Sequence, residues 1–314
     1  MTIPSSAQPT VFIEGEAGTT GLLIRERLAL MPSLNLLSID PAKRKDVSAR
    51  KAMMRQADLV VLCLHDDHAR EAVAMATELG ADAPRILDAS SAHRVAPDWV
   101  FGFAELAPGI AKKIRSATHV SNPGCYSTGA IALLRPLIDA GLVPADHPFS
   151  INTVSGYSGG GRSMIEGYEA GTAPAFELYG LGLEHKHVPE IMAYTGLTTR
   201  PIFVPSIGNF RQGMVVSIPL HLDMIKGKPS GADLHATISK HYAGSQYVKV
   251  ISAETLKTES GRLNAENLNG TNTLEIRVCA NEQHRHVVLV ALLDNLGKGA
   301  SGAAVQNIQL MLGV

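Results

Sequence analysis

The sequence predicts an α/β protein with a Rossmann-like, doubly wound parallel sheet, joined to an α+β domain with a mainly antiparallel sheet. Up to about residue 120, short apolar strands alternate with helical patterns; beyond about residue 150, long apolar strands predominate. Alternating strands and helices favour a parallel sheet covered on both faces. We therefore expect one domain over residues 1–124, completed by a C-terminal helix over 295–314, and a second over residues 125–294.

The elements of the first half follow from apolar runs and their boundaries. The segment 57–64 is apolar at almost every position, as in a strand buried on both faces. A helix is expected to begin at a cap formed by Asp66 or Asp67 and to end at Gly80. Further strands are predicted at 10–15, 34–40, 85–90 and 117–122, and a helix at 19–31.

The second half has a different pattern. The segment 273–294 is long enough for two strands and is expected to form a hairpin that turns near Asn281 and Glu282. Another strand is predicted at 211–222 and a helix at 232–244. A strand near residue 150 runs into a glycine-rich loop, and the chain ends in a glycine-containing loop followed by a helix.

Composition excludes several classes of protein. The chain has 314 residues, 45% hydrophobic and 18% charged, with a net charge of -1, which is ordinary for a globular enzyme and gives no reason to expect a nucleic-acid partner. No run of about 18 apolar residues predicts a membrane span. The N-terminus lacks the features of a signal peptide, so a cytoplasmic location is expected. Three cysteines without a C-x-x-C pair argue against a disulfide framework or a structural zinc site.

A glycine motif, GEAGTTG, separates the first predicted strand from the first predicted helix. Gly15, Gly18 and Gly21 would let the backbone turn tightly and approach a pyrophosphate at the start of that helix. A purely steric role in a strand-to-helix turn is the alternative. The second strand ends with Asp40, which would suit a ribose hydroxyl, and with basic residues including Arg44, which would suit a 2′-phosphate. These residues therefore do not decide between a dinucleotide with a free ribose 2′-hydroxyl and one with a 2′-phosphate.

A cysteine, Cys125, follows Pro-Gly in SNPGCYSTG, and a helical pattern starts directly after it. The N–H groups at a helix start lower the pKa of a thiol and can stabilise an oxyanion. Gly124 leaves room beside the sulfur, and Asn122 could add a side-chain donor. A buried apolar cysteine is the ordinary alternative. It suits Cys63 and Cys279, which lie within predicted strands, better than Cys125.

A nucleophilic cysteine needs a partner for proton transfer. His185 and His187, two residues apart in LEHKHVPEI, would face the same side if extended, and Glu190 could orient an imidazole. A zinc site is the rival interpretation, but no third ligand is evident. Two surface histidines are the other alternative.

The segment VSNPGCYSTGAIALLRP resembles the active-site signature of N-acetyl-γ-glutamyl-phosphate reductases, enzymes of arginine biosynthesis. IEGEAGTTG, LDASSAHRVAPDWVFGFAEL, SGYSGGGR, HKHVPEI and DNLGKGASGAAVQN resemble the shorter of the family's two types along nearly the whole chain. The resemblance implies a two-domain enzyme related to aspartate-semialdehyde dehydrogenase, with NADPH as cofactor, an acyl phosphate as substrate and a homo-oligomer of two or four chains. One departure is His65, where the family is expected to have proline.

The resemblance also implies roles for individual residues. It makes Cys125 the nucleophile and His187 the acid–base group, with Asn122 as a possible oxyanion donor. It places His185, Tyr179 and Glu190 near the substrate. Further candidates, for binding the substrate phosphate or carboxylate, are Ser158, Arg94, Arg162 and Arg211, and for each of these a structural salt bridge is the alternative. Residues expected to bind the cofactor are Gly15, Gly18, Thr19, Thr20, Gly21, Arg44, Cys63, Ser90, Ser158 and Asn295.

The implied reaction is attack of the cysteine on the acyl phosphate, followed by hydride reduction of the thioester to the semialdehyde. Two alternatives remain at this point. One is a relative that acts on another acyl phosphate, such as aspartyl phosphate or a carrier-bound aminoadipyl phosphate. The other is a non-catalytic NADP-binding sensor on the same scaffold, in which Cys125 would be an ordinary thiol.

Overall fold

The computed structural model describes residues 8–258 and 261–314. It divides into two compact units. The first takes the described residues as far as Ala104, together with Ala111–Asn122 and Ala303–Val314; the second takes Glu105–Ile110 and Pro123–Gly302. None of the helices in the described part of the chain is long and apolar enough to cross a membrane.

A six-stranded, fully parallel sheet forms the centre of the first unit, as the alternating pattern predicted. Its strand order is β2-β1-β3-β4-β6-β5. The strands are β1 (Thr10–Glu14), β2 (Asn35–Leu37), β3 (Leu59–Leu62), β4 (Arg85–Asp88), β5 (Val100–Phe101) and β6 (His119–Ser121). The helices are α1 (Thr19–Ala29), α2 (Val47–Gln56), α3 (Asp66–Thr77) and α4 (Ile110–Ser116), with α10 (Gly302–Leu312) at the C-terminus.

Register brings the carboxyl ends of four strands into one line. Glu14 of β1 pairs with Leu62 of β3, Leu62 with Asp88 of β4, and Asp88 with Ser121 of β6. The residues that come next in each strand therefore share the edge where open α/β sheets bind ligands. Every residue of β3 is buried, which agrees with its continuous apolar run.

In this unit the sequence missed one helix, and one predicted helix cap was wrong. The helix α2 was not predicted, because Arg50, Lys51 and Arg55 break up its apolar stripe. The helix α3 is capped by His65, and Asp66 and Asp67 lie inside its first turn. There the two carboxylates still favour the helix, because they face the positive end of its dipole.

The second unit is built on a seven-stranded mixed sheet, with strand order β11-β12-β13-β10-β7-β9-β8. The strands are β7 (Ser150–Gly156), β8 (Phe176–Leu178), β9 (Ile202–Gly208), β10 (Met214–His221), β11 (Val248–Val250), β12 (Leu274–Asn281) and β13 (His286–Leu293). The helices are α5 (Cys125–Asp139), α6 (Arg162–Glu169), α7 (Val188–Thr195), α8 (Gly231–His241) and α9 (Ala253–Thr258). The predicted hairpin is confirmed as β12 and β13, paired from Leu274↔Leu293 to Asn281↔His286.

Three short segments that the sequence had placed in the first unit fall in the second: 105–110, 123–124, and 295–302 from the predicted C-terminal segment. A buried ion pair joins the first of them to the last, because Lys298 Nζ lies 2.9 Å from Glu105 Oε2. The Lys298 side chain is only 2% exposed and sits 5.2 Å from the centre of the Tyr247 ring. Burial lowers the pKa of Lys298, and the carboxylate of Glu105 opposes that shift.

Candidate active site

Cys125 is the first residue of α5, as the sequence predicted. Gly124 precedes the helix in an extended conformation, with φ -72° and ψ 152°. The hydroxyls of Ser127 and Thr128 each donate to the Gly124 carbonyl at 2.8 Å, which fixes the turn just before the cysteine. Since the first N–H groups of a helix have no partners inside it, the sulfur lies beside a concentration of backbone donors.

A second segment packs directly on the cysteine. Gly299 belongs to a five-residue π-helical stretch, Gly297–Ser301, between β13 and α10. A Cβ atom added to Gly299 would lie 2.9 Å from the Cβ of Cys125, closer than carbon atoms normally approach. The neighbouring Lys298 anchors this stretch through Glu105. Sequence reasoning missed the contact, because nothing in DNLGKGASG indicates which residue its glycines approach.

His187 caps α7, and only 4% of its surface is exposed. Its Nε2 atom lies 4.0 Å from Oε1 of Glu190, which is 1% exposed. The other carboxylate oxygen, Oε2, accepts the backbone N–H of Gly124 at 3.1 Å. One buried carboxylate therefore contacts both the histidine and the turn that holds Cys125.

The ring of Tyr126 extends this link from the other side of the cysteine. Its centre is 5.7 Å from that of His187 and 5.9 Å from that of His185, both in edge-on contacts. Its hydroxyl donates to the Ser206 carbonyl at 3.0 Å. Burial raises the pKa of the Tyr126 hydroxyl strongly, and the neighbouring Tyr179 and Cys125 add to the shift. Both chain neighbours of Cys125 thus contact the segment that carries the histidines.

His185 and Tyr179 lie in the same group. The backbone N–H of His187 donates to His185 Nδ1 at 3.2 Å, so a neutral His185 ring carries its proton on Nε2. That nitrogen is 3.5 Å from the Tyr179 hydroxyl. Burial raises the pKa of Tyr179 to about 12. Among residues 8–258 and 261–314, no group of three or more His, Cys, Asp or Glu side chains is arranged to hold a metal ion.

Ser158 and Asn295 form a separate buried contact. Asn295 donates through Nδ2 to Ser158 Oγ at 2.9 Å and accepts the Gly213 N–H at 2.8 Å. The guanidinium of Arg211 points elsewhere: its side chain is 60% exposed and pairs with Glu169 at 2.7 Å. The structure thus brings Ser158 and Asn295 together, and leaves the predicted substrate contact of Arg211 without support.

The glycine loop of the first unit has the geometry that a pyrophosphate requires. Gly15 has φ +90°, and a Cβ added there would lie 2.3 Å from the Cys63 carbonyl oxygen. A Cβ on Gly21 would lie 2.5 Å from the Gly15 carbonyl oxygen. Gly18 caps α1 without a side-chain hydrogen bond, and Thr19 and Thr20 form its first turn. A helix start preceded by such a glycine turn can receive the pyrophosphate of a dinucleotide, and these residues fit one.

Basic side chains gather where β2 ends. Glu16 of the glycine loop pairs with Arg25 at 2.8 Å and with Arg44 at 3.3 Å, and it accepts the Ser38 hydroxyl at 3.2 Å. Asp40 instead caps a local turn by accepting the Ala42 N–H at 2.9 Å. Two arginines beside a serine suit a 2′-phosphate better than a bare ribose. Sequence reasoning found Arg44 but missed Arg25 and Ser38, which only the fold brings next to it.

The remaining predicted residues of the first unit are held by local contacts. Asn122 accepts a hydrogen bond from Asn307 at 3.1 Å through Oδ1, and its carbonyl accepts Nε of Arg94 at 3.0 Å. The Ser90 hydroxyl donates to Asp88 at 2.8 Å. Burial, with the charge of Asp88, raises the pKa of the Cys63 thiol to about 12, as expected for a packed thiol that is not reactive.

The first unit has a parallel sheet of the kind that binds dinucleotides. The second has a mixed sheet, a cysteine at the start of a helix and a buried histidine. Together these features are those of a semialdehyde-dehydrogenase-like oxidoreductase. Residues 125–295 match the family described as "Semialdehyde dehydrogenase, dimerisation domain". The chain is 51% identical, over 98% of its length and 99% of theirs, to N-acetyl-γ-glutamyl-phosphate reductases of Brucella ovis and Brucella canis. It belongs to the N-acetyl-γ-glutamyl-phosphate reductase family.

Solved structures of lower identity share the fold. Aspartate semialdehyde dehydrogenase II from Vibrio cholerae, complexed with ASA, has a TM-score of 0.72 at 16% identity, over 98% of this chain and 99% of that one. Aspartate semialdehyde dehydrogenase with NADP from Candida albicans has a TM-score of 0.67 at 14% identity, with the same coverage. At such identities the likeness concerns the fold alone, and it confirms the predicted fold class.

Proposed function

We propose that the chain reduces N-acetyl-γ-glutamyl phosphate to N-acetylglutamate semialdehyde and phosphate with NADPH, a step of arginine biosynthesis. The observation that carries the proposal is the Glu190 carboxylate, which lies 3.1 Å from the Gly124 nitrogen and 4.0 Å from His187 Nε2. It supports a site in which the thiol of Cys125 and the imidazole of His187 act together. The relatives that are 51% identical over nearly the whole chain support this substrate.

In the first stage, the sulfur of Cys125 forms a bond to the γ-carbonyl carbon of the substrate, and the bond from that carbon to the phosphate oxygen breaks. The N–H groups at the start of α5 stabilise the oxyanion between these two events. The thiol proton passes to His187 and from there to the departing phosphate. Glu190 supports the charged imidazole while it holds the proton. The product of this stage is a thioester on Cys125.

In the second stage, the thioester is reduced. NADPH, when bound, supplies the hydride to the thioester carbonyl carbon. The helix start again stabilises the oxyanion, the carbon–sulfur bond breaks, and the semialdehyde leaves while the sulfur departs as thiolate. A proton from solvent restores the thiol and imidazole pair. The glycine loop would hold the pyrophosphate of the cofactor, and Arg25 and Arg44 would hold its 2′-phosphate.

The state of the thiol and the family together support two further statements. Since catalysis needs Cys125 as a thiol, we place the enzyme in the reducing cytoplasm. The match to a dimerisation domain supports a homo-oligomer of two or four chains.

The experiment that tests the substrate is a reverse assay, in which reduction of NADP is followed with phosphate and a panel of semialdehydes. The proposal predicts a kcat/KM for N-acetylglutamate semialdehyde at least about a hundredfold above that for aspartate semialdehyde, since the site must discriminate by buried polar contacts. A preference for aspartate semialdehyde would overturn the substrate. No turnover with any semialdehyde, together with tight NADP binding, would favour the non-catalytic sensor.

A further inference from the structure

Asp294 is a buried carboxylate that the mechanism described above does not use. It follows β13 directly and is fully buried. Its Oδ2 atom accepts hydrogen bonds from the Gln212 side chain at 2.7 Å and from the Gly270 backbone at 2.8 Å, and its Oδ1 atom accepts the Leu296 N–H at 2.9 Å. A buried charge is costly unless hydrogen bonds compensate it, and three uncharged donors do so here. The carboxylate therefore ties three segments of the second unit together.

The backbone of Asp294 begins the π-helical stretch that follows it. Its carbonyl accepts the N–H groups of Gly297 at 3.1 Å and of Gly299 at 2.9 Å. The bond from Gly299 reaches back five residues, as does the bond from Ser301 to Leu296 at 3.0 Å, and this is the pattern of a π-helix. Because the Asp294 carboxylate also accepts the Leu296 N–H, its side chain caps the same turn that its carbonyl begins.

Two glycines show how closely this stretch fits between its neighbours. A Cβ on Gly297 would overlap with the Thr271 carbonyl oxygen, and it would lie 3.1 Å from Oδ2 of Asp294. A Cβ on Gly299 would lie 2.9 Å from the Cβ of Cys125 and 3.1 Å from the Asp294 carbonyl oxygen. The N–H of Gly299 is engaged by that carbonyl, so Gly299 acts on the cysteine by packing and not as an oxyanion donor.

The three partners of the Asp294 side chain require a carboxylate. Each of them donates an N–H, and an ionised carboxylate has acceptors only, so it satisfies all three. An amide of the same shape has one acceptor oxygen. Its NH₂ group would have to face the N–H groups of Gln212 and Gly270, or that of Leu296. The charge at this position therefore has a function in the packing that an isosteric neutral side chain cannot supply.

We infer that Asp294 is a positioning residue for the reaction of Cys125. The inference rests on the proposed function and concerns how the nucleophile is held. The carboxylate fixes the start of the π-helical stretch and anchors it to the neighbouring loops through Gln212 and Gly270. Gly299 is thereby kept against the Cβ of Cys125, which limits the positions that the sulfur can take. Since a displacement of about 1 Å near a reacting group can cost 10²-fold in rate, the carboxylate acts on turnover through the position of the sulfur.

The test is an exchange of the carboxylate and the amide between positions 294 and 212 in the full-length protein. Asp294→Asn alone turns an NH₂ group toward N–H donors. When Asp294→Asn is combined with Gln212→Glu, the carboxylate at position 212 accepts from that NH₂ group, so one hydrogen bond is restored with its direction reversed. Gln212→Glu alone brings two carboxylates to the 2.7 Å separation of the present hydrogen bond. Steady-state kinetics with N-acetyl-γ-glutamyl phosphate and NADPH compare the three variants with the wild type.

Asp294→Asn is expected to lower kcat by about 10² and to change the KM for NADPH by less than about twofold, because the glycine loop for the cofactor lies in the first unit. The exchanged pair should regain at least about tenfold of the lost kcat, since neighbouring residues that interact give non-additive effects. Gln212→Glu alone should be no more active than Asp294→Asn. A wild-type kcat in Asp294→Asn, or an exchanged pair as slow as that variant, would overturn the inference.

Gln212→Leu tests the same tie without changing the buried residue. It removes one of the three donors from a half-buried position, and kcat should fall about tenfold. Gln56→Leu is the matched control, because the Gln56 side chain also donates one hydrogen bond, to the Ala52 carbonyl at 3.0 Å, but on the exposed surface of α2. It should keep the wild-type kcat. Equal kcat values for the two leucine variants would overturn the inference.

Alkylation of Cys125 by iodoacetamide, followed by peptide mass spectrometry, gives a measurement that needs no turnover. Release of Gly299 from the cysteine should let Asp294→Asn react at least about fivefold faster than the wild type at the same pH. Cys63, with a pKa of about 12, should stay unlabelled if the fold is intact. Unchanged labelling of Cys125 would overturn the inference even where the wild type turns over the substrate. Faster labelling, in a protein whose wild type does not turn over the substrate, would support the inference and contradict the proposed function.

Discussion

Glu190 accepts the backbone N–H of Gly124 at 3.1 Å, one residue before the cysteine. Its second oxygen lies 4.0 Å from the imidazole of His187. A buried carboxylate is costly unless its oxygens are engaged, so this placement makes the turn before Cys125 and the start of α7 depend on each other. Cys125 at the start of α5 and His187 at the start of α7 are therefore linked through the one carboxylate of Glu190.

Two substitutions of Glu190 separate its charge from its hydrogen bond. In Glu190→Gln the amide oxygen can still accept the Gly124 N–H, so stability should change little while kcat falls about tenfold, as the charge beside His187 is lost. In Glu190→Ala the buried N–H loses its acceptor, which should cost about 1–3 kcal/mol of unfolding free energy as well. Denaturant unfolding and steady-state kinetics check both. An unchanged kcat in Glu190→Gln would show that Glu190 has only a structural role.

Replacing His187 should slow acyl transfer, because this residue takes the thiol proton and passes it to the departing phosphate. His187→Asn is expected to lower both kcat and the rate at which the thioester forms on Cys125 by roughly 10²–10⁴, the range for a missing acid–base group. Quenched reactions with the acyl phosphate, analysed by mass spectrometry, measure the thioester directly. Thioester formation at the wild-type rate in this variant would contradict the role assigned to the histidine.

The approach of Gly299 to Cys125 predicts an effect of a single methyl group. Gly299→Ala would place a Cβ 2.9 Å from the Cβ of Cys125, so one of the two segments must shift. Since a displacement of about 1 Å near the reacting group can cost 10²-fold in rate, kcat should fall by about that factor. Gly182→Ala is the matched control, because a Cβ there meets nothing within 4 Å. Steady-state kinetics of the two variants, measured side by side, test this prediction. Equal kcat values would show that the contact between Gly299 and Cys125 does not affect catalysis.

The arginines around Glu16 should set the preference for the phosphorylated cofactor. Arg25→Ala and Arg44→Ala are each expected to raise the KM for NADPH about tenfold, the loss expected for one charge-assisted hydrogen bond, with little change for NADH. Competitive titration of the two cofactors measures the ratio. If the KM values for NADPH and NADH rise equally, these arginines stabilise the glycine loop and do not bind the 2′-phosphate.

Much of the fold could be predicted because its signals are local. The buried strand at Leu59–Leu62 shows as an apolar run, and the hairpin of β12 and β13 as two such runs around a polar turn. Helix α2 was not predicted, because its stability comes from packing rather than from a clear apolar stripe. The position of residues 295–302 in the second unit could not be predicted, because it depends on the ion pair of Lys298 with Glu105, which are nearly two hundred residues apart in sequence.

In the candidate site, too, some residues have a local sequence signal and others do not. Cys125 and His187 could be found from local motifs, since a helix start and a closely spaced pair of histidines are visible in the chain. The contacts of Glu190 with Gly124 and of Gly299 with Cys125 join segments that are distant in sequence, and only the fold reveals them. The substrate role expected for Arg211 stays a prediction, because its guanidinium pairs with Glu169 at the surface and no contact among the described residues joins it to the candidate site.

The most direct test of the account is a single turnover with N-acetyl-γ-glutamyl phosphate in the absence of NADPH, followed by phosphate assay and peptide mass spectrometry. Cys63 and Cys279 are internal controls; with a pKa of about 12, the Cys63 thiol should stay unmodified at neutral pH. The cysteine mechanism predicts phosphate release stoichiometric with protein and an N-acetylglutamyl group on Cys125, both abolished in Cys125→Ser and retained in Cys279→Ser. Undiminished phosphate release by Cys125→Ser, or an acyl group on another residue, would contradict it.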